Sequence, residues 1–390
     1  MSFLMYNDIS AMSRLHRSAS AQMSRPAISI QKSGGWTFGS PSVLMMFYRA
    51  PGELQSELQE MDECMPHYYK ITNGHGQGAE TIMRAEADFM RACFADAQIM
   101  LERAYAQIDG NGQENMALCC DFLAWRLSLC TSFTPRESFE QRREALLQQH
   151  NVAWLNILQS SCAYYYALLG LPEKIPAVFR EHQLASIHFL APGKPMMELI
   201  ENQVYLAQGE YAKVIGHSEA LLGMCEAMHY ALVALHIRLQ TAAAYEMLGK
   251  RETADELLIS ALAAAEPDAL YLPFVENYRY LKTALTRGAG AKFAAFVRTV
   301  TPLGEDFVRR CGEKRAEGSR PAALAGLTER ESAIAALVAK RLSNREIAEQ
   351  LFLSEGSVKQ YINQIYSKLL ITGDVRTKRK RLAEFAAPKS

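Results

Sequence analysis

The sequence predicts an all-α chain made of a long helical body and a short helical tail, and three observations carry that prediction. From about residue 81 to residue 290, apolar residues recur at spacings of three and four, with hardly any strict alternation. Within that stretch a weak internal repeat keeps a register of 39 or 40 residues between its turns, Gly170, Gly209 and Gly249. After residue 326, helix-start signals occur at Thr328, Ser343 and Ser354.

The 390 residues are too many for one ordinary core and imply about two or three structural units. With 49% apolar and 22% charged side chains the composition is that of a folded, soluble protein. The formal charge of zero hides an asymmetry. Residues 1–300 hold 25 basic and 31 acidic side chains, residues 301–390 hold 17 and 11, so a polyanionic partner is expected at the C-terminal end. The eight cysteines show no repeated spacing and no CxxC pair, and read as reduced, mostly buried thiols. The first thirty residues lack a secretory apolar run and no later stretch is long enough for a membrane span, so no membrane partner is expected and the location expected is cytoplasmic.

Residues 1–80 read as a turn-rich segment packing on the body, with turns at Gly34, Gly35, Gly39, Pro41 and Pro51 and a loop from Thr72 to Glu80. Residues 81–312 read as the helical repeat. LAQGEYAKVIGHSEALL (Leu206 to Leu222) and EMLGKRETADELLISAL (Glu246 to Leu262) superpose with Gly209 on Gly249. Further copies turn at Gly170 and, with alanine in the glycine position, at Ala92; a missing copy would turn near Thr131. Helix pairs at this period are the signature of a tetratricopeptide-like solenoid, because one hairpin cannot cover its own apolar face while stacked hairpins cover each other's. Such a solenoid implies an extended concave surface. Residues 313–326, EKRAEGSRPAALAG, are polar and broken by Gly318 and Pro321, and are the expected linker.

The tail, residues 327–387, divides into short helices. Thr328 with Glu331, and Ser343 with Glu346, have capping-box spacing; Ser354 starts a third helix after the turn Phe352–Leu353. In that helix Val358, Ile362, Ile365 and Leu369 step by four, three and four into one apolar stripe. Ser357, Gln360, Tyr361, Gln364 and Lys368 take the opposite stripe, flanked by Lys359 and Asn363, and none of them is acidic. A helix so divided fits a major groove about 12 Å wide, with its N-terminal side chains at base edges and its other donors at phosphates.

At these residues the tail resembles the LuxR-type helix-turn-helix family: LTERE at Leu327 to Glu331, SNREIA at Ser343 to Ala348, SVK at Ser357 to Lys359, and Lys368–Leu369 follow that family's phrases in order. The resemblance implies a bacterial DNA-binding transcription regulator. It assigns base and phosphate contacts to Ser357, Lys359, Gln360, Tyr361, Asn363 and Gln364, and backbone contacts to Thr328, Asn344, Arg345 and Lys368. The partners it implies are double-stranded DNA, RNA polymerase and a second copy of the chain on the DNA. The sequence departs from the family's pattern at Arg341 and Leu370, where glycine is usual, and at Tyr361, where histidine is usual. The run RTKRKR, Arg376 to Arg381, is more basic than usual and offers extra phosphate contact in a helix that often pairs two domains.

The body is similar to the repeat region of MalT-like regulators, which implies an effector, small molecule, peptide or protein, on the repeats. In that group an ATPase module precedes the repeats, but GHGQGAE lacks the lysine and hydroxyl of a phosphate loop, so ATP binding is not expected. Either this chain lacks that module or it is the C-terminal part of a longer regulator. Cys225, His229 and His236 share helical spacing but have no carboxylate or second thiol to complete a metal site, and read as core. Tyr164, Tyr165, Tyr166, Tyr278 and Tyr280 read as packing aromatics. With no nucleophile or metalloprotease motif, neither catalysis nor a cofactor is expected. The alternative reading is a protein-interaction scaffold whose DNA-binding tail is no longer functional.

Overall fold

The structure, a computed structural model, describes residues 9–26, 41–110, 112–148, 152–187, 191–288, 290–318 and 327–386. The turn positions Gly34, Gly35 and Gly39, and residues 319–326 of the expected linker, lie outside them. Among the described residues every regular element is a helix and no strand occurs. The chain divides into two compact units, Met1–Cys311 and Gly312–Ser390.

Among the described residues of the first eighty, expected to be turn-rich, three helices are complete, α1 (Ile9–Gln22), α2 (Val43–Phe47) and α3 (Leu54–Thr72). Glycines and prolines marked the turns but gave no sign of α2, which is too short to show a period and is set by burial. Val43 to Tyr48 are each at most 2% exposed. Ser42 caps the helix, accepting from Met45 N at 3.2 Å, and Leu44 N donates to the buried Glu86 carboxylate at 2.7 Å.

Helical hairpins follow: α4 (Ala79–Met90) with α5 (Phe94–Ile108), α6 (Glu114–Cys130) with α7 (Phe139–Gln148), α10 (Lys194–Gln208) with α11 (Tyr211–Ala227), and α12 (Ala231–Met247) with α13 (Arg251–Ala265). The repeat seen in the sequence corresponds to one way of ending a helix. Ala92, Gly170, Gly209 and Gly249 all have left-handed backbone, φ 60°, 71°, 78° and 76°. Beyond each, the next N–H closes back on a carbonyl five residues earlier, as in Cys93 to Asp88, Leu171 to Tyr166, Glu210 to Tyr205 and Lys250 to Tyr245. The copy expected near Thr131 turns differently, with Thr131 extended and an eight-residue connection, 131–138, before α7.

First helices pack on first helices along the chain, α4 on α6, α6 on α8 (Val152–Leu169), α8 on α10 and α10 on α12. Each second helix packs on the following first helix, α5 on α6, α7 on α8 and α11 on α12. One hairpin is broken: after α8 and Gly170 the second helix is replaced by 3-10 turns and a single short helix, α9 (Ala177–Arg180).

Late elements of the unit pack back on its early ones. Helix α14 (Leu272–Glu276), late in the unit, packs on α4 near its start, and Tyr271 N donates to Met90 O at 2.8 Å. Asp268 accepts from Tyr48 Oη and Gly52 N, both at 2.6 Å. Glu276 projects inward to α6 and α8, where it pairs with Arg126 and accepts from Tyr164 Oη at 2.8 Å. Tyr164, expected as packing alone, therefore also serves as a buried donor. Tyr165 and Tyr166 do pack, against Phe139.

The unit ends with α15 (Tyr278–Gly288) and within α16 (Ala294–Gly318). Gly304 of α16 lies directly on the ring of Tyr278, where a Cβ would overlap the ring carbons. Residues 313–318, expected in the linker, are the end of α16: Glu, Lys, Arg and Ala form helix readily and the chain needs no break before Gly318. His229 was placed on a helical face with His236 but sits in the left-handed turn between α11 and α12, φ 54°, while His236 is fully buried. None of the eight cysteines forms a disulfide, and most are buried. No helix among the described residues is long and apolar enough to cross a membrane.

Candidate nucleic-acid interface

The second unit folds as α17 (Glu329–Ala339), α18 (Asn344–Leu351), α19 (Glu355–Lys368) and α20 (Val375–Ala386). Its core is small and continuous, with Ile334 and Val338 of α17, Ile347 of α18, Val358, Ile362 and Ile365 of α19, and Leu382 of α20 in mutual contact. Burying each such side chain contributes about 1.5–3 kcal/mol, which holds α19 by its aliphatic side.

Local chemistry sets where each helix starts. Thr328 Oγ1 accepts from Glu331 N at 3.3 Å while Thr328 N donates to Glu331 Oε2 at 2.7 Å; Ser343 and Glu346 repeat this at 3.3 and 2.7 Å. Ser354 Oγ accepts from Ser357 N at 3.0 Å. The helices end on left-handed residues that are not glycine: Arg341 after α17, φ 64°; Phe352 after α18, φ 53°; Leu370 after α19, φ 52°. In each turn the next N–H closes back on the helix, Leu342 to Leu337, Leu353 to Ala348 and Ile371 to Tyr366. Arg341 and Leu370 stand where the resembled family has glycine, so the backbone of that pattern is kept although its usual residue is not, at a strain of about 1 kcal/mol each.

Of the residues assigned to DNA contact, Lys359, Gln360, Asn363 and Gln364 are exposed on the outer side of α19, and none of the four side chains has a hydrogen bond within the described protein. Tyr361 is half-buried and packs against the core. Ser357 is also half-buried, its hydroxyl 2.8 Å from that of Ser354, so it supports the helix start. Thr328 is exposed and flanks an open groove with Gln360, Gln364 and Lys368.

Three other assigned residues already have protein partners. Lys368 Nζ lies 2.7 Å from Glu331 Oε2. Burial pushes the Glu331 carboxyl up, but the hydrogen bonds from Lys368 and from Thr328 outweigh it and hold it below the usual range. Asn344 Oδ1 accepts from Arg379 Nη1 at 2.7 Å, and Arg379 Nη2 also donates to Leu342 O at 2.6 Å. Arg345 pairs with Glu349 on the surface at 3.2 Å.

The basic run therefore has two uses. Arg379 ties α20 to the start of α18 and Lys378 lies over the Tyr366 ring, 5.8 Å from its centroid, whereas Arg376 and Lys380 face outward. The sequence did not mark Arg379 and Glu331 as structural partners. Only the capping-box position of Glu331 pointed toward its role.

An acid-free face on a helix anchored by the two before it defines a helix-turn-helix module, and comparison with known proteins agrees. Residues 325–379 match the family described as bacterial regulatory proteins, luxR family. The chain is similar to the transcriptional regulatory protein LnrK of Bacillus subtilis, 41% identical over 63 residues, 15% of this chain and 29% of that protein. It is also similar to the DNA-binding transcriptional activator DevR/DosR of Mycobacterium tuberculosis, 39% identical over 46 residues, 12% of this chain and 21% of that one. The match thus spans less than a third of either relative. No solved structure matches the chain. The C-terminal unit carries a LuxR-type helix-turn-helix domain.

Proposed function

We propose that the chain is a DNA-binding transcription regulator whose α19 enters the major groove and whose helical repeats receive an effector. Its relatives' names, a transcriptional regulatory protein and a DNA-binding transcriptional activator, support the first half. The observation that carries it is the outer side of α19, where Lys359, Gln360, Asn363 and Gln364 stand exposed, uncommitted and without a carboxylate among them. Amide side chains of this kind pair with adenine edges, while Lys359 reaches guanine or phosphate. Lys368 is better placed as a clamp on Glu331 than as a free phosphate contact, and Arg376 takes that task beside Thr328 and Arg345.

RNA polymerase and a second copy of the chain on DNA belong to this reading as partners. The tetratricopeptide-like, MalT-like character of the repeats rests on their hairpin stacking and common turn. No catalysis is assigned to the chain.

Binding of the purified chain to duplex DNA, followed by fluorescence anisotropy between about 50 and 200 mM salt, tests the proposal. Affinity is expected to fall steeply with salt as counterions are released. Lys359→Ala and Gln360→Ala together are expected to cost a few kcal/mol on a selected site, at about 1–3 kcal/mol per specific contact. Binding indifferent to both salt and these substitutions overturns the reading.

A further inference from the structure

The broken hairpin leaves a gap in the regular stack. Where a second helix would follow α8, the irregular chain through α9 and residues 184–187 lies beside α10 and α11, and together they line an open pocket of about 780 Å³. That size is within the roughly 300–1,000 Å³ range of small-molecule sites. Its walls mix aliphatic side chains, Leu184, Ile187, Met197, Leu221 and Met224, with polar ones, among them Lys194, Glu198, Glu201 and His217.

One wall carries Glu201, which is 6% exposed. Among the described residues its carboxylate accepts no hydrogen bond, and His182 Nδ1 lies 3.6 Å from it. His182 is held there by a left-handed backbone, φ 56°, and by stacking on Tyr205 with ring centroids 4.1 Å apart. Burial lowers the His182 basicity, so it is a poor counter-ion. Burial and the neighbouring Glu198 push the Glu201 carboxyl up to about 7. Lys213, outside the lining, draws the Glu201 carboxyl down but is engaged by Glu210, and Lys194, in the lining, is exposed.

We propose that this pocket binds a small organic cation, an amine or amidine on an apolar or aromatic body, with the charge on Glu201 and the body among the aliphatic walls. A nearly buried carboxylate without a donor is costly and a charge-assisted hydrogen bond from the ligand relieves that cost. An anion would meet both Glu198 and Glu201, and a neutral ligand would leave Glu201 unmatched. The inference rests on the reading of the repeats as the effector-binding part and supplies the chemical class of that effector.

Calorimetric titration of the intact chain with phenethylammonium, 2-phenylethanol and 3-phenylpropionate tests it. The cation is expected to bind at least about tenfold more tightly than the alcohol, a difference of roughly 1.4 kcal/mol, and the carboxylate not at all. Glu201→Gln is expected to erase the preference. Because that position is nearly buried, Ala220→Phe, at an exposed site on the pocket's edge, provides a second block that spares the core. Equal binding of cation and alcohol, no binding of the cation, or unchanged affinity in both variants overturns the proposal. DNA binding by the same samples separates the two readings. Intact DNA binding without cation binding removes only the pocket, and cation binding without any DNA binding removes only the regulator.

Discussion

Arg126 and Glu276, 150 positions apart in the chain, form a two-point ion pair at 2.8 and 3.1 Å with both side chains about 1% exposed. The guanidinium also lies over Phe89 at 4.9 Å and Phe122 at 5.2 Å. Glu276→Gln or Arg126→Met is expected to destabilise the chain by about 3–5 kcal/mol, since each leaves one buried charge alone. The double variant Arg126→Met, Glu276→Gln is expected to lose much less than the two single losses combined. Urea melts of the four proteins check this, and additive losses would show that the pairing does not matter.

Left-handed alanine and arginine are strained where glycine is not. Ala92→Gly, Arg341→Gly and Leu370→Gly are each expected to raise stability by about 0.5–1 kcal/mol, the opposite of glycine's usual effect in a helix. Thermal melts read the sign directly, and three destabilised variants would contradict the assigned turns.

Close approach predicts the reverse at Gly304. A methyl group there meets the Tyr278 ring, so Gly304→Ala is expected to cost about 1–3 kcal/mol despite alanine's better helix propensity. The same change at Gly312, where nothing lies near the added atom, is expected to be neutral or stabilising and is the control.

Burial pushes the Glu86 carboxyl up to about 7 even though Leu44 N donates to it. Its folded value exceeds the unfolded one, so its ionisation opposes folding increasingly as pH rises from about 4.5 through 7. Glu86→Gln is therefore expected to gain on the parent by about 1–3 kcal/mol between pH 5 and pH 8. Paired denaturation curves at the two pH values measure that change, and a constant difference would show an ordinary carboxyl.

Removing Lys368 leaves burial as the main influence on Glu331. Lys368→Met is expected to move the Glu331 titration upward, visible by carboxyl ¹³C NMR, and to weaken the C-terminal unit near neutral pH. Lys359→Ala is expected to leave that titration alone and to lower the salt slope of DNA binding by about one.

The C-terminal domain was legible because its signals are local. The hydroxyl and carboxylate of each capping box lie three residues apart, and the stripe of Val358, Ile362 and Ile365 repeats within a single helix. Gly209 and Gly249 marked their turns for the same reason. Helix α2 could not be read, because five apolar residues carry no period. The ties of Arg379 to Asn344, Lys368 to Glu331 and Arg126 to Glu276 could not be read either, since pairing across 35 to 150 positions is set by packing and leaves no spacing rule. The first two explain why Asn344 and Lys368, assigned to DNA by pattern, are at least partly occupied within the domain.

The contact of α14 with α4 changes how the repeat unit can be assembled. A linear stack can be completed one hairpin at a time and trimmed from either end. Here the first hairpin must wait on the ribosome until the residues around Glu276 have emerged, nearly two hundred positions later. Until then the Met90 carbonyl lacks its Tyr271 donor, and a chain cut short before α14 is expected to be digested faster than the whole unit, which limited proteolysis of both would measure.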